Sequence, residues 1–226
     1  MTDSIKTRIK ACLDAVHDAE KTYARTPQSV RVLAVSKNQS AEAIQTAFHT
    51  GIHDFGESYW QEAKNKQLHL QNLPITWHFI GPIQSNKAKY IAKNFSWVHS
   101  VCRTEIAELL NKHRLASQPK LNICIQVNLD TEASKSGCAL DALLPLATHI
   151  LSYPNLNLRG LMAIPKKNTN LDTCYQTFLK LKNAQDILNQ QLNLSLDTLS
   201  MGMSDDFMPA IRAGTTWIRI GRGIFG

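Results

Sequence analysis

Residues 30–50 read VRVLAVSKNQSAEAIQTAFHT, a short β-branched run followed by a longer helical pattern. The first part, residues 30–36, is apolar at most positions, which is typical of a strand buried on both faces. The second part, residues 41–50, is long enough to form the helix of a parallel crossover connection. The segment therefore predicts a strand followed by a helix, with the next strand parallel to the first.

The same unit recurs along the chain. Seven further strand candidates follow, separated by longer stretches of mostly helical pattern, at residues 52–55, 75–80, 96–101, 121–128, 156–162, 197–202 and 216–221. Alternation of strand and helix predicts a parallel sheet, and eight units in roughly 200 residues fit a small (β/α)8 TIM barrel. An open doubly wound sheet uses the same right-handed units and stays an alternative, but the count of eight favours the barrel.

The segment before the first strand predicts one extra helix. Apolar residues recur there at helical spacing, at Ile5, Ile9, Cys12, Leu13, Val16 and Tyr23. This pattern indicates an N-terminal helix within residues 1–25, which would plug or flank the barrel. Because no linker or change of composition interrupts the chain, we expect one α/β domain over residues 1–226.

Composition limits the class of protein. Apolar residues make up 43% and charged residues 19% of 226 residues, and 25 basic against 18 acidic side chains give a charge of +7. A basic balance suits an anionic ligand or a nucleic acid. The five cysteines are too widely spaced for a zinc knuckle, so we expect reduced thiols and no metal. The chain shows no signal-peptide pattern and no long apolar stretch, so we expect a cytoplasmic protein without a membrane partner.

In a barrel of this kind the functional residues follow the strands, because the loops after the strands line the shared cavity. Lys37 comes directly after the first strand. An ammonium held against low-dielectric walls loses hydration, which lowers its pKa and makes the neutral amine available to attack a carbonyl. The alternative is an ordinary solvated lysine just past a strand end.

The seventh and eighth loops predict an anion site. Residues 221–226 read GRGIFG, but no helix and second strand follow, so this is not a dinucleotide fingerprint. Its glycines could instead bring backbone N–H groups against a phosphate, together with Ser200 in the preceding loop. Ser204 is placed to cap a helix led by Asp205, whose charge would repel the anion from that helix end.

Two residues inside the predicted strands also stand out. Arg219 lies two positions before Gly221 and therefore points to the same side of its strand. It is either a ligand-facing cation or a member of a structural ion pair. His78 is more simply a hydrogen-bonded barrel residue than a metal ligand.

Seven blocks in order carry a resemblance to a known family: AVSK at residues 34–37, FGESYWQE at 55–62, WHFIGPIQSNK at 77–87, IQVNLDTEASKSG at 125–137, LRGLMAIP at 158–165, LSMGMSDD at 199–206 and RIGRGIFG at 219–226. Together they resemble the pyridoxal phosphate homeostasis family, over about residues 31–226. The resemblance implies a barrel similar to the N-terminal domain of alanine racemases and eukaryotic ornithine decarboxylases, with pyridoxal 5′-phosphate (PLP) as cofactor.

The resemblance also implies individual roles. Lys37 falls on the family's Schiff-base lysine, and Arg219 falls on the arginine that faces the pyridine nitrogen. Ser200, Gly221 and Arg222 fall on the phosphate cradle, with Ser204 nearby. The chain departs from many relatives at Ser58, where they read GENY, and at Arg222, where they read GTAIFG. The hydroxyl contact from position 222 is thereby lost, and Arg222 replaces it with a charge.

For function, the resemblance implies an intracellular PLP carrier that supplies apoenzymes. We expect no catalytic residues, because a guanidinium facing the pyridine nitrogen leaves the cofactor a poorer electron sink, and racemases complete their site with a second domain and a partner subunit. We therefore expect a monomer whose partners are PLP and PLP-dependent apoenzymes, and not nucleic acid. The alternatives are a small PLP enzyme acting on an amino acid, with His78 or Tyr59 as base, and a basic RNA-associated protein.

Overall fold

The computed structural model describes residues 2–130 and 136–226, and its described strands close into a parallel barrel in chain order. The strands are β1 (Arg31–Val35), β2 (Asp54–Glu57), β3 (Thr76–Phe79), β4 (Trp97–Val101), β5 (Leu121–Gln126), β6 (Leu156–Met162), β7 (Thr198–Met203) and β8 (Trp217–Ile220). The last strand pairs with the first, Ile218 opposite Val32, which completes the ring. The predicted (β/α)8 TIM barrel is confirmed, and the open doubly wound sheet is wrong.

Helices cover the outside of the barrel between the strands. They are α1 (Thr2–Thr22), α2 (Ala41–His49), α3 (Trp60–His69), α4 (Ala88–Asn94), α5 (Thr104–His113), α6 (Leu143–Leu151), α7 (Leu171–Leu192), α8 (Phe207–Arg212) and α9 (Arg222–Phe225). A 3₁₀ turn at Ser85–Lys87 precedes α4. Among the described residues, none of these helices is long and apolar enough to cross a membrane.

The second strand lies two residues later than its β-branched pattern predicts. Ile52 is buried, but its N–H donates to the carbonyl of Ala47 at the end of α2. Gly51, with a φ of 102°, makes the turn that allows this contact. Ile52 therefore packs beneath α2, and the residues paired with β3 are Asp54–Glu57.

The predicted N-terminal helix is present and flanks the barrel instead of plugging it. It buries Ile5, Ile9 and Val16 and packs against α2, α8 and α9. Arg8 donates a hydrogen bond of 3.0 Å to the carbonyl oxygen of Phe225 in α9. The helix therefore supports the end of the chain that contains the predicted anion loop.

Candidate functional site

Five of the six predicted site residues line one pocket at the carboxyl ends of the strands. The pocket has a volume of about 280 Å³, close to the lower limit for small-molecule sites. The predicted residues in its lining are Lys37, Ser204, Arg219, Gly221 and Arg222. The pocket therefore joins the loop after β1 to the loops after β7 and β8, as the barrel predicts.

Lys37 stands at the rim of this pocket and is exposed. The expectation that the barrel walls would desolvate its amine is wrong, because Lys37 is exposed in the folded chain. Lys37 forms no ion pair within the described residues, so its amine has no carboxylate partner to hold it. A second lysine of the pocket, Lys167, instead lies 2.8 Å from Asp205.

The backbone on both sides of Lys37 is fixed by α3. Lys66 Nζ donates to the carbonyl oxygen of Ser36 at 2.6 Å, and the N–H of Asn38 donates to the Glu62 carboxylate. Asn38 adopts a left-handed φ of 63°, which turns the chain immediately after the lysine. Lys37 is thus an exposed side chain on a clamped backbone.

The two side chains that hold this backbone, Glu62 and Lys66, belong to a cluster beneath the pocket, between β2 and α3. Lys66 Nζ lies 2.8 Å from Glu57 Oε1 and 2.5 Å from Glu62 Oε1. Ser36 donates to Glu57 Oε1 at 2.6 Å, while Glu57 Oε2 is buried and accepts no hydrogen bond from any described residue. Burial raises the pKa of Glu57, and the hydrogen bonds from Lys66 and Ser36 oppose that shift.

Arg219 is a buried cation at the floor of the pocket, with 3% of its surface exposed. Its guanidinium donates to the Ser200 carbonyl at 2.7 Å, to the Ser200 hydroxyl at 2.9 Å and to the Ala163 carbonyl at 3.0 Å. Burial lowers its pKa to about 10. Because it forms no ion pair within the described residues, the structural ion-pair interpretation is wrong, and a ligand-facing role is favoured.

Ser200 is not part of the pocket lining. It lies within β7, fully buried, and its hydroxyl contacts His99 Nδ1 at 2.8 Å besides Arg219. The structure therefore places Ser200 beneath Arg219, and its role as a phosphate ligand stays a prediction.

The seventh loop differs from prediction at the start of its helix. Helix α8 begins at Phe207, with Asp206 as its N-terminal neighbour, so Ser204 is not the cap. Asp206 instead accepts the Met203 N–H at 2.6 Å, which forms a tight turn. This leaves the Ser204 hydroxyl free to face α9, where it accepts the Gly223 N–H at 3.4 Å.

Two cationic side chains at the pocket mouth contact the carboxylate of Asp205. Its Oδ2 lies 2.8 Å from Lys167 Nζ and 3.0 Å from the Arg222 guanidinium. The hydrogen bond from Lys167 holds the pKa of Asp205 below its usual range, and Arg222 adds to that effect. Two cations on one exposed carboxylate leave the rim with a net positive charge, which suits an anion.

The eighth loop presents bare backbone beside Ser204. A Cβ at Gly223 would lie 2.8 Å from a side-chain carbon of Ile220, so a side chain at this position would force a rearrangement. The absence of a side chain at Gly223 therefore leaves its N–H in contact with the Ser204 hydroxyl.

Sequence comparison shows that this chain is similar to proteins of a known family. The alanine racemase N-terminal domain family matches residues 13–226. A pyridoxal phosphate homeostasis protein of Pseudomonas aeruginosa is 51% identical over 211 residues, covering 93% of this chain and 90% of the relative.

This chain belongs to the pyridoxal phosphate homeostasis protein family.

Solved structures agree with the family. PipY of Synechococcus elongatus, determined with PLP bound, superposes with a TM-score of 0.85 at 35% identity, covering 98% of this chain and 100% of PipY. Alanine racemase of Corynebacterium glutamicum has a TM-score of 0.73 at 12% identity, and the match covers all of this chain and 60% of the racemase. At that identity the racemase shows the shared barrel alone.

Sequence reasoning on this homeostasis-family chain missed several residues of the site. Glu62 and Lys66 are four apart on a helix, a spacing that indicates a surface ion pair, so nothing in the sequence points to a buried cluster with Glu57. His99 follows Trp97 by two positions and shares its inward side, but its contact with Ser200 crosses the barrel. Part of the fourth block of the resemblance, residues 131–135, lies outside the described residues.

Proposed function

We propose that this protein binds PLP in the pocket between Lys37 and Arg219, holds it as a Schiff base on Lys37, and supplies it to PLP-dependent apoenzymes. The observation that carries the proposal is that one pocket contains both the Lys37 amine and the buried Arg219 guanidinium, neither of which forms an ion pair within the described residues. Membership of the homeostasis family and the PLP-bound PipY structure support the same cofactor.

The described residues fit the functional groups of PLP. The Lys37 amine is the nucleophile for the aldehyde carbon. Ser204, the backbone N–H groups of Gly221 and Arg222, and the positive rim offer hydrogen bonds and charge to the phosphate. Ser200 contributes from below through its hydrogen bond to Arg219.

Arg219 defines the chemistry that the site allows. Bound PLP supplies an electron sink for substrate carbanions. A guanidinium can only donate hydrogen bonds, so an Arg219 that faces the pyridine nitrogen keeps that nitrogen unprotonated and weakens the sink.

The side chains around the pocket support binding without turnover. Among the described residues its lining contains no histidine, cysteine or tyrosine. Asp205 is paired with two cations, and Asp206 accepts the Met203 N–H. His78 is buried and hydrogen-bonded deeper in the barrel, and Tyr59 is 61% exposed, so neither proposed base of the enzyme alternative is in the lining.

The covalent site is tested by mass spectrometry after the protein is treated with PLP and borohydride. We expect one stable adduct on Lys37 and none in Lys37→Ala. Lys167→Ala is the matched control, because Lys167 lines the same pocket but is paired with Asp205. An adduct on Lys167, or on any other lysine in place of Lys37, would contradict the assignment.

The carrier role is tested by two measurements on the loaded protein. We expect it to restore activity to a PLP-dependent apoenzyme after free PLP has been removed, and Lys37→Ala treated in the same way to fail. We also expect no exchange of the α-proton of alanine in heavy water above the rate with free PLP. Sustained exchange would favour the enzyme alternative.

Location and assembly complete the proposal. We infer a cytoplasmic monomer that does not bind nucleic acid. Gel filtration tests the oligomeric state, and a salt titration of binding to an RNA oligomer tests nucleic-acid binding.

A further inference from the structure

Five polar side chains form one continuous hydrogen-bonded row through the barrel interior. Asp54 Oδ1 lies 3.0 Å from His78 Nε2, and His78 Nδ1 lies 2.9 Å from His99 Nε2. His99 Nδ1 lies 2.8 Å from Ser200 Oγ, which in turn lies 2.9 Å from the Arg219 guanidinium. The row begins at the amino end of β2 and ends at the pocket floor; we call it the interior row.

Water is kept away from the middle of the interior row. His78, His99 and Ser200 are fully buried, whereas the Asp54 side chain is 27% exposed. Trp97 stacks on His78 with ring centroids 5.5 Å apart, and Trp217 packs against it edge to face at 5.1 Å. The ring nitrogens of His78 and His99 and the Ser200 hydroxyl must therefore be satisfied by their neighbours in the row.

The two ends of the interior row determine the direction of every hydrogen bond. A guanidinium only donates, so Ser200 Oγ accepts from Arg219. An ionised carboxylate only accepts, so His78 Nε2 donates to Asp54. The bonds between these ends must then be oriented consistently with both.

A neutral imidazole has one donor and one acceptor nitrogen. Because His78 donates through Nε2, its Nδ1 accepts from His99 Nε2. His99 Nδ1 then accepts the Ser200 hydroxyl proton. Burial lowers the pKa of both imidazoles, which keeps them neutral at pH 7.

We propose that His99 and His78 are positioning residues for Arg219. They orient the Ser200 hydroxyl, which holds the guanidinium together with the Ser200 and Ala163 carbonyls. The row also links the pocket floor to Asp54 at the opposite end of the barrel. This inference rests on the proposed function only in the identity of the ligand above Arg219.

The interior row has a consequence for Ser200 itself. Its only proton is directed to His99, so the hydroxyl has no proton left to donate to a phosphate. The Ser200 side chain therefore acts on the ligand through Arg219, and the anion is held by the Ser204 side of the pocket.

The first test needs no ligand. In protein labelled with 15N at histidine, long-range proton–nitrogen correlation spectra report which ring nitrogen carries the proton. We expect His78 and His99 to be neutral and protonated at Nε2 at pH 7, with assignments from His78→Gln and His99→Gln. A ring protonated at Nδ1, or a charged ring, at either position would overturn the assigned directions of the hydrogen bonds in the interior row.

The second test separates hydrogen bonding from packing. His99→Gln retains an acceptor for Ser200 and a donor for His78, whereas His99→Phe retains the ring but neither group. We expect His99→Phe to bind PLP about tenfold more weakly, the size of one hydrogen bond to a charged group, and to shift the absorption of bound PLP. We expect His99→Gln to stay within about threefold of the parent protein, by the same conversion.

Each outcome of the second test is decisive. Equal PLP binding by the parent protein and both variants would overturn the proposal, and so would equal weakening in both variants, which would indicate a packing role. If His99→Phe does not fold, His99→Gln and the parent spectra still test the row. If the parent protein binds no PLP, the proposed function fails, whereas the histidine spectra still decide the row's direction.

Discussion

Lys66 holds the backbone of the pocket although its own side chain does not line the pocket. It is buried, and its ammonium contacts the Ser36 carbonyl and two carboxylates, those of Glu57 and Glu62. A buried ion pair adds little net stability by itself, but removing one partner leaves a charge in a low-dielectric environment. Because Ser36 precedes Lys37, the same ammonium also fixes the backbone of the pocket lysine.

We therefore expect Lys66→Met to lower the free energy of unfolding by about 3 to 5 kcal/mol, since Glu57 and Glu62 would lose their buried cation. Urea denaturation measures the change. Lys64→Met, on the exposed side of the same helix, is the matched control and should stay within about 0.5 kcal/mol of the parent protein. Equal effects of the two substitutions would contradict the structural role of Lys66.

The residues that the sequence predicts well are those defined by position along a strand. Lys37, Arg219 and Gly221 follow from strand ends and from two-residue alternation, and all three line the pocket. Ser200 was predicted in the loop after the seventh strand, but β7 extends to Met203, so Ser200 lies inside the strand and is buried. The exposure of Lys37 depends on how far the pocket is open, which no local pattern records.

At the scale of elements, α1 and α9 behave as one packing unit on the outside of the barrel. Ile9 is 1% exposed, and Arg8 contacts the carbonyl of Phe225. Helix α9 begins at Arg222, one residue after Gly221. The extra N-terminal helix therefore supports the loop that we propose as part of the phosphate site.

We expect Ile9→Ala to lower the free energy of unfolding by about 2 to 5 kcal/mol, because it leaves a cavity between α1 and the helices beside it. Chemical denaturation measures this, and the exposed neighbour Lys10→Ala serves as the control. A change below about 0.5 kcal/mol in Ile9→Ala, within the range of surface substitutions, would show that α1 contributes little to the fold.

The order of strands and helices could be predicted from the sequence, because each unit repeats the residue period of a strand and then that of a helix. The eight described strands each overlap the run that the sequence predicts, and helices lie between them, with α7 spanning residues 171–192. Element boundaries were less accessible. The starts of β2 and α8 depend on local turns, closed by hydrogen bonds from the Ile52 N–H to the Ala47 carbonyl and from the Met203 N–H to Asp206, which strand and helix periodicity do not record.

At the scale of the whole molecule, the barrel core contains two fully buried histidines, His78 and His99. Asp54, Arg31 and Arg219 are the charged groups around them. Burial lowers the pKa of both imidazoles relative to the unfolded chain, in which the pKa of histidine is about 6.5. Below that pH the unfolded chain binds protons that the folded barrel does not, so acid favours unfolding.

We expect the free energy of unfolding to be greatest above about pH 6.5 and to fall below it, by up to about 1.4 kcal/mol per pH unit for each histidine. Urea midpoints between about pH 7.5 and 5.5 measure the slope. His99→Gln removes one of the two groups and should flatten the slope. The same slope in both proteins would show that other groups dominate the acid sensitivity.

Closure of the barrel has a consequence for behaviour in concentrated solution. Each described strand is hydrogen-bonded to a neighbour on both sides, so none of these strands offers an unpaired edge to a second chain. Intermolecular β-pairing then requires the ring to open first. Aggregation should therefore begin only where global unfolding begins, and substitutions that accelerate opening should shorten the shelf life of the protein in the same proportion.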